Sequence, residues 1–149
     1  MVPTETLREI PYFKWGSEDS LATLSMVSEE VAFAAGEELF KKGDPAEYLY
    51  VITEGEVDIQ YALASGDRRT VDQLSAGDLV VWSAVVEPHV CTAFGVARTD
   101  VRAIAVEAAR LRQLLHEDGE LYHSLMSRLV KVVTGRLTGA RRQLAALPA

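Results

Sequence analysis

The side chains most able to do chemistry in this sequence are one cysteine, Cys91, and three histidines, His89, His116 and His123. A structural zinc site or an iron–sulfur cluster draws on several cysteines, and an intrachain disulfide needs two. The histidines stand at no metal-ligand spacing, apart from one loose seven-residue gap. We therefore expect no metal site, and we interpret each histidine as solvated or hydrogen-bonded within the fold.

The usual sequence signatures of catalysis are missing from the chain. It contains no Gly-x-Ser-x-Gly, no phosphate-binding Walker loop and no cysteine–histidine nucleophile pair. Carboxylates are plentiful, but the sequence alone pairs none of them into an acid–base couple. We predict that the protein is not an enzyme and carries no cofactor, which leaves binding, regulatory and structural roles.

Length and charge narrow these roles further. The 149 residues suffice for one domain with a sizeable core. A net charge of −7 repels a phosphate backbone, so we expect no nucleic-acid binding by this chain alone. No run approaches the ~20 apolar residues of a membrane span, and no signal peptide is visible. Together with the single cysteine, these features favour a cytoplasmic location.

The charge is unevenly distributed along the chain. Residues 1–118 hold ten Lys or Arg against twenty-one Asp or Glu, whereas residues 119–149 hold five against one. Such a basic stretch is usually the solvated face of a helix. The alternative is that the basic C-terminal helix contacts a partner protein with an acidic surface. Both interpretations stay open at the level of sequence.

Hydrophobic periodicity divides the chain into helical ends and a β-rich centre. The first part predicts two short helices, at residues 4–10 and 18–27, with Ser17 as the N-cap of the second. The centre alternates in the manner of short strands, and turns recur about every ten residues, which is typical of a β-sandwich or barrel. The predicted strands, about eight in all, include residues 31–33, 38–40, 48–52, 57–61, 69–74, 94–97 and 102–106.

The C-terminal part predicts a short helix at 107–115 and a long helix at 120–146 with one apolar stripe. Because a lone helix of this length needs a surface to lie on, we expect part of the stripe to pack on the β-rich centre and the distal part to pair with a second copy. We predict a homodimer, whose helix contacts involve Leu125, Leu129, Val132, Val133, Leu137 and Leu144.

The order of the turn motifs carries a family resemblance. The stretch from Phe33 to Val57, with Gly36 and Gly43-Asp44 in its turns, resembles the first half of cyclic-nucleotide-binding domains. These are the sensor domains of Crp/Fnr-type regulators, of the regulatory subunit of protein kinase A and of gated channels. The segments Gly77-Asp78 and Ala97-Arg98-Thr99-Asp100 resemble the later turns of that family. The likeness extends from residue 5 to about residue 145.

The resemblance implies an antiparallel β-roll, or jelly-roll barrel, between two short N-terminal helices and a long C-terminal helix. We therefore divide the single folded domain into an N-terminal helical segment at 1–30, the β-roll sensor at 31–106 and the C-terminal helices at 107–149. Five glycines, whose conformational freedom suits turns with positive φ, are expected to shape the roll, namely Gly36, Gly43, Gly55, Gly66 and Gly77.

In the resembled family, a ligand-binding cassette follows the second Gly-Asp. A short helix there offers N–H groups to the cyclic phosphate, a glutamate binds the ribose, and an arginine pairs with the phosphate. Here Val81 takes the place of the cassette glycine and Trp82 that of the glutamate, while the arginine position falls on His89 or Cys91. Residues 70–97 contain no Lys or Arg at all.

We therefore expect a degenerate phosphate-binding cassette in which a cyclic nucleotide is possible but disfavoured as ligand. The pair Trp82-Ser83 is similar to a bacterial subgroup of single-domain members that carry Gly-Trp-Ser-Ala-Leu at this place. The candidate pocket comprises Gly77, Asp78, Val80, Val81, Trp82, Ser83, Ala84, His89, Cys91 and Thr92.

The two tryptophans have different expected roles. Trp82 is either an indole that fills the core or an interface, or an aromatic wall that stacks on a planar ligand. Trp15 is expected to pack among the N-terminal helices.

Three functions remain in competition at this point. The first is a stand-alone regulatory module that relays a ligand or partner signal through its C-terminal helix. The second is the sensor half of a Crp/Fnr-type transcription regulator, whose helix-turn-helix segment is not in this sequence. The third is a structural or scaffold protein in which side chains plug the pocket. The full-length gene would settle the second, and the shape of the pocket beside Trp82, open or filled, is the most informative single observation on all three.

Overall fold

The computed structural model describes all 149 residues and opens with two short helices. Helix α1 covers Thr4–Glu9 and helix α2 covers Glu18–Met26. The Ser17 hydroxyl accepts the Ser20 N–H at 3.1 Å, which confirms Ser17 as the N-cap of α2. The expectation that Trp15 packs among these helices is wrong, because its side chain is 61% exposed.

Eight strands follow and form the predicted antiparallel β-roll. Their bounds are Ser28–Phe33 (β1), Glu38–Phe40 (β2), Tyr48–Glu54 (β3), Val57–Ala62 (β4), Arg68–Leu74 (β5), Leu79–Val80 (β6), Phe94–Ala97 (β7) and Val101–Glu107 (β8). One sheet has the order β1-β8-β3-β6 and the other β2-β7-β4-β5, and all neighbours are antiparallel.

The core lies in two places. A small cluster draws residues from both sheets and fills the inside of the roll, with Ile52, Val57 and Val80 among its members. A larger cluster lies between the first sheet and the helices, where Leu49 and Ile104 meet the buried faces of all four helices. The roll therefore has little apolar filling of its own, and the helices supply the main hydrophobic contact.

The turns of the roll take the left-handed backbone expected of their glycines. All five predicted glycines have φ between 91° and 92°. Gly55 has a second constraint, because a Cβ there would collide with the carbonyl oxygen of Asp100. The Thr99 hydroxyl accepts the Glu56 N–H at 3.1 Å in the same place, so the turn after β3 and the turn before β8 are locked together.

Two helices close the chain, α3 at Ala108–Glu117 and α4 at Gly119–Ala145. The Asp118 carboxylate caps α4 and also accepts the Ser17 N–H at 2.9 Å, which ties the start of α2 to the start of α4. The N–H of Ser17, followed by that of Leu121, lowers the pKa of Asp118 to about 2.

Helix α4 has a buried first half and an exposed second half. Leu125 and Leu129 lie in the core of their own chain, and Val132 packs against it, which corrects the assignment of Leu125 and Leu129 to a dimer face. Val133, Leu137 and Leu144 are 40–70% exposed, as expected for the distal part of the stripe. No helix in the structure is both long and apolar enough to cross a membrane.

Candidate functional site

The cassette leaves the roll through β6 and turns at once. Strand β6 pairs with β3, so that Val80 lies opposite Tyr50. Val81 then adopts φ 68° and ψ 57°, and a single 3-10 turn follows at Trp82–Ala84. His89, further along the loop, is the second non-glycine residue of the chain with positive φ, at 61°.

Val81 holds a backbone conformation that suits glycine. In the left-handed region a Cβ crowds the following carbonyl, which costs about 1–2 kcal/mol, and a β-branched residue is an outlier there. The resemblance places a glycine at this position of the cassette, and the chain keeps the backbone geometry after replacing the residue. Val81 is held in place because its side chain packs against both core clusters.

A small apolar cavity of about 60 Å³ lies beside Trp82 inside the roll. Pockets that bury a drug-sized ligand usually measure about 300–1,000 Å³, so this cavity accommodates a few atoms rather than a nucleotide. Eight of its eleven lining residues are hydrophobic, and Asp72 is the only charged one. The pocket is therefore largely filled by side chains and has no cation in its wall.

The cavity takes in half of the predicted pocket residues. Val81, Trp82, Ser83, Cys91 and Thr92 line it. The other five predicted residues lie outside its wall, namely Gly77, Asp78, Val80, Ala84 and His89.

Gly77 lies in an exposed turn, and Val80 and Ala84 are buried in the two core clusters. His89 is turned toward the backbone of its own loop, where its Nδ1 lies 3.1 Å from the Ser83 carbonyl oxygen. On α3, Arg112 donates from Nη1 to the Ala84 carbonyl oxygen at 2.7 Å. These polar contacts hold the cassette backbone and leave the cavity wall apolar.

Part of the cavity wall comes from distant strands, and these residues were not predicted. Phe40 on β2, Ile59 on β4, and Asp72 and Leu74 on β5 line the cavity together with Leu79 and Ala93. Alternation within each strand predicts which side chains point into the roll. It does not predict which inward positions face the cassette, because that depends on how the strands pair.

A guanidinium from outside the cassette reaches the rim of the cavity. Arg136 on α4 donates from Nη1 to Asp72 Oδ1 at 3.0 Å, and its Nη2 lies 3.3 Å from Asp78 Oδ2. Asp78 also accepts the Ser75 N–H at 2.8 Å, as expected for a turn aspartate. Each of the three side chains is about one-third exposed, and both carboxylates are directed at the same arginine. Arg136 is thus already paired with two carboxylates.

Burial disfavours the charged form of two further groups near the cassette, Cys91 and Tyr50. Burial raises the pKa of the Cys91 thiol, and the neighbouring Asp44 carboxylate raises it further. Burial also raises the pKa of Tyr50.

A second cavity of about 320 Å³ adjoins the first at Phe40, Val81 and Cys91, and Asp44 and Glu47 are its charged residues. An anion in this larger space would meet two carboxylates.

Comparison with known proteins agrees with this geometry. Residues 30–118 match the family described as the cyclic nucleotide-binding domain. A CRP-like cAMP-activated global transcriptional regulator of Mycobacterium tuberculosis is 24% identical over 143 residues, which are 96% of this chain and 62% of that protein. A cAMP-dependent protein kinase regulatory subunit of Dictyostelium discoideum is 33% identical over 98 residues, 66% of this chain and 29% of that protein. The chain thus spans under two thirds of these curated relatives.

Solved structures show the same fold. A protein from Geobacter metallireducens named as a cyclic nucleotide-binding protein has a TM-score of 0.80 and 28% identity, over 92% of this chain and 99% of its own. The N-terminal domain of a transcriptional regulator from Streptomyces coelicolor has a TM-score of 0.67 and 27% identity, over 89% of this chain and 93% of its own. The predicted fold class, mainly β with flanking helices, is confirmed.

Proposed function

The chain belongs to the cyclic nucleotide-binding domain family, and from this we propose that it is a regulatory sensor module whose pocket binds standard cyclic nucleotides only weakly, with a Kd above about 100 µM. The observation that carries the proposal is the absence of a free cation at the cavity. The wall contains only Asp72 as a charged residue, and Arg136, which pairs with Asp72, is also bound by Asp78.

The phosphate and the ribose of a cyclic nucleotide would each lack a binding partner in this cassette. A charge-assisted hydrogen bond contributes roughly 1.5–3 kcal/mol, so the loss of an arginine pair and of a ribose–glutamate bond removes roughly 3–6 kcal/mol, or two to four decades of affinity. A phosphate that recruited Arg136 would first have to separate it from Asp72 and Asp78. Size acts in the same direction in the cavity beside Trp82, which measures about 60 Å³. In the adjoining space of about 320 Å³, the phosphate would meet the carboxylates of Asp44 and Glu47.

Calorimetry with cyclic AMP, cyclic GMP and cyclic di-GMP tests the proposal. We expect no saturable binding below about 100 µM. A repaired variant that combines Val81→Gly, Trp82→Glu and Thr92→Arg should bind at least about tenfold more tightly. It restores close backbone approach and a ribose acceptor, and it supplies a cation from Thr92, which lines the cavity next to the buried Cys91. The matched control carries Thr92→Gln in place of Thr92→Arg. A micromolar Kd for the unmodified protein would contradict the proposal.

The signal is proposed to leave the module through α4. Support comes from Arg136, which joins α4 to two carboxylates, one of them in the cavity wall. Whatever displaces this contact changes how the distal half of α4 is held. Hydrogen exchange tests the idea, because Arg136→Leu should speed exchange in residues 130–145 at least about threefold more than Arg141→Leu does. Equal effects of the two variants would contradict it.

The exposed distal stripe of α4 supports a homodimer. Val130, Val133, Leu137 and Leu144 lie along one side of the helix and are 40–70% exposed. We expect light scattering to report a dimer at about 50 µM, and Leu137→Glu to give a monomer because it places a charge in the seam. Thr138→Glu, one position away and off the stripe, should stay dimeric. A monomeric unmodified protein would remove this part of the proposal.

A second candidate is the sensor part of a transcription regulator. It is favoured by the Mycobacterium relative, whose name is that of a transcriptional regulator and of which the chain spans 62%. The test is whether the coding sequence beyond residue 149 encodes a helix-turn-helix segment. Under either candidate, residues 1–149 alone should not shift a defined DNA duplex at sub-micromolar concentration, since the net charge is −7.

A further inference from the structure

A groove between α1 and α4 collects cations in an otherwise acidic molecule. It measures about 670 Å³ and shares no lining residue with the cavity beside Trp82. Its wall contains Arg8 of α1, Lys14 of the following turn, and Arg128 and Lys131 of α4, with Glu9 as the one carboxylate. Four cations against one anion stand out in a chain of net charge −7.

None of these four cations forms an ion pair within the chain. The ion pairs of the structure use other basic residues, namely Lys41, Arg68, Arg98 and Arg136. Arg8 makes only a long contact, 3.4 Å, to the Lys14 carbonyl oxygen. All four are exposed. The groove therefore offers charge that the molecule does not use for its own stability.

An exposed tryptophan lies among these cations. Trp15 is 61% exposed, and the Lys14 ammonium lies 5.3 Å from the centre of its ring. Its position is set by Gly16, which is buried and whose N–H donates to the Phe13 carbonyl oxygen at 3.0 Å. Large aromatic residues and arginine dominate the binding energy of protein interfaces. Trp15 is therefore placed as an apolar anchor point within a cationic surface.

The two walls of the groove are joined to each other. The Ser124 hydroxyl of α4 contacts the Pro11 and Tyr12 carbonyl oxygens at 3.2 Å each. At 3.6 residues per turn, Arg128 and Lys131 lie roughly 130–170° around the helix from the centre of the exposed apolar stripe. Pairing of two chains along that stripe leaves the groove open.

We propose that this groove binds an acidic segment of a partner protein, with an apolar or aromatic side chain of that segment against Trp15. Charge complementarity selects carboxylates, and the exposed indole selects a chain that also carries an apolar side chain. The overall charge of −7 disfavours a long phosphate backbone, which would meet repulsion outside the groove. Because α1 and α4 lie on opposite walls, an occupied groove would also hold α4 against α1. The proposal does not depend on what the cavity binds.

The probe is a fluorescein-labelled peptide in which glutamates flank a central leucine, titrated with the full chain and followed by anisotropy at about 50 mM salt. We expect saturable binding that the pair Arg128→Glu and Lys131→Glu weakens at least about tenfold. Trp15→Ala should weaken binding of the leucine peptide at least about threefold and leave a peptide with glycine at that place unaffected. The variants concern exposed side chains, and circular dichroism checks that they fold.

The matched control is the pair Arg141→Glu and Arg142→Glu, which makes the same charge change on the last turns of α4. It should alter the affinity by less than about twofold at the same salt concentration. Equal losses from the two pairs would overturn the proposal, since attraction would then come from the basic helix as a whole. Preferential binding of single-stranded oligo-uridine over the acidic peptide would also overturn it, as would unchanged binding in Trp15→Ala.

Discussion

The turn glycines and the cassette solve the same backbone problem in different ways. Each turn glycine of the roll takes a φ near 91°, a conformation that glycine adopts without steric cost. The cassette also needs positive φ in two places, but Val81 and His89 occupy them. The roll therefore rests on residues suited to their conformation, whereas the cassette is kept in shape by surrounding contacts.

This difference separates the parts of the molecule that make the fold from the part that makes a ligand site. The turns keep the residue types that the resemblance predicts, and the roll has the expected topology. In the cassette, an apolar side chain stands where close backbone approach to an anion needs glycine, and the space beside it is small and apolar. A fold and its binding chemistry are thus separable, because different residues carry them.

The largest expected effect comes from breaking the turn at Gly55. Gly55→Ala should lower the free energy of unfolding by about 3 kcal/mol or more, because the new Cβ meets the Asp100 carbonyl oxygen in addition to the positive φ. Gly66→Ala is the matched control, since its φ is the same and no atom lies within 4 Å of the added Cβ. It should cost about 1 kcal/mol in urea unfolding. Equal costs would mean that close packing at Gly55 is unimportant.

Two neighbouring valines, Val80 and Val81, test whether the cassette backbone is strained. Val80→Gly should cost about 3 kcal/mol, because it removes a side chain that is 1% exposed and adds strand flexibility. Val81→Gly should cost about 1 kcal/mol or less, because relief of the left-handed backbone offsets the lost packing. Chemical denaturation measures both. If Val81→Gly costs as much as Val80→Gly, the cassette is not strained at this position.

A smaller effect is expected at Asp118, where hydrogen bonds to a side chain, rather than a left-handed backbone, hold two helix ends together. Its folded pKa of about 2 lies below the ordinary 3.8, so its contribution to stability is complete above pH 4 or so and is lost as the pH falls toward 2. Asp118→Asn should therefore cost about 1 kcal/mol at neutral pH, and most of this cost should be lost by pH 2.

The control for Asp118 is Asp19→Asn, on the exposed first turn of α2, whose carboxylate accepts no hydrogen bond in the structure. Thermal melts across this pH range should show a pH-dependent difference from the unmodified protein only for Asp118→Asn. A difference that persisted at pH 2 would show that the carboxylate charge is not what joins α2 to α4.

The smallest effect on stability is expected from a change at the cassette thiol, Cys91. Its rate of alkylation tests directly whether the cassette is closed to solvent. Burial raises the pKa of Cys91, so alkylation at pH 8 should be slow in the folded protein. Moving the thiol by one residue, in Cys91→Ala with Thr92→Cys, should speed labelling at least about tenfold, because Thr92 is exposed. Similar rates would mean that the cassette opens readily to solvent.

Much of the fold was predictable because its signals are local. Ser17 caps α2 as predicted, the turn glycines have positive φ, and the predicted strands form with shifts of a few residues at their ends. The two-residue strand β6 was not predicted, since it is too short to show alternation. The expectation for Trp15 was wrong, because an indole near a helical segment is usually buried. Only the placement of the turn after α1 against α4 shows that this one is not.

What the sequence by itself determined is therefore the β-roll, its helical ends and the missing cations of residues 70–97, since these follow from local backbone preference and from composition. What only the tertiary structure decided is what stands in their place. Asp72 and Arg136 are 64 residues apart, yet they form the ion pair at the cavity rim. The buried and exposed parts of the α4 stripe share one periodicity, and only the extent of the core cluster that α4 shares with the other helices divides them. Long-range placement depends on strand pairing and helix packing, which no local pattern encodes.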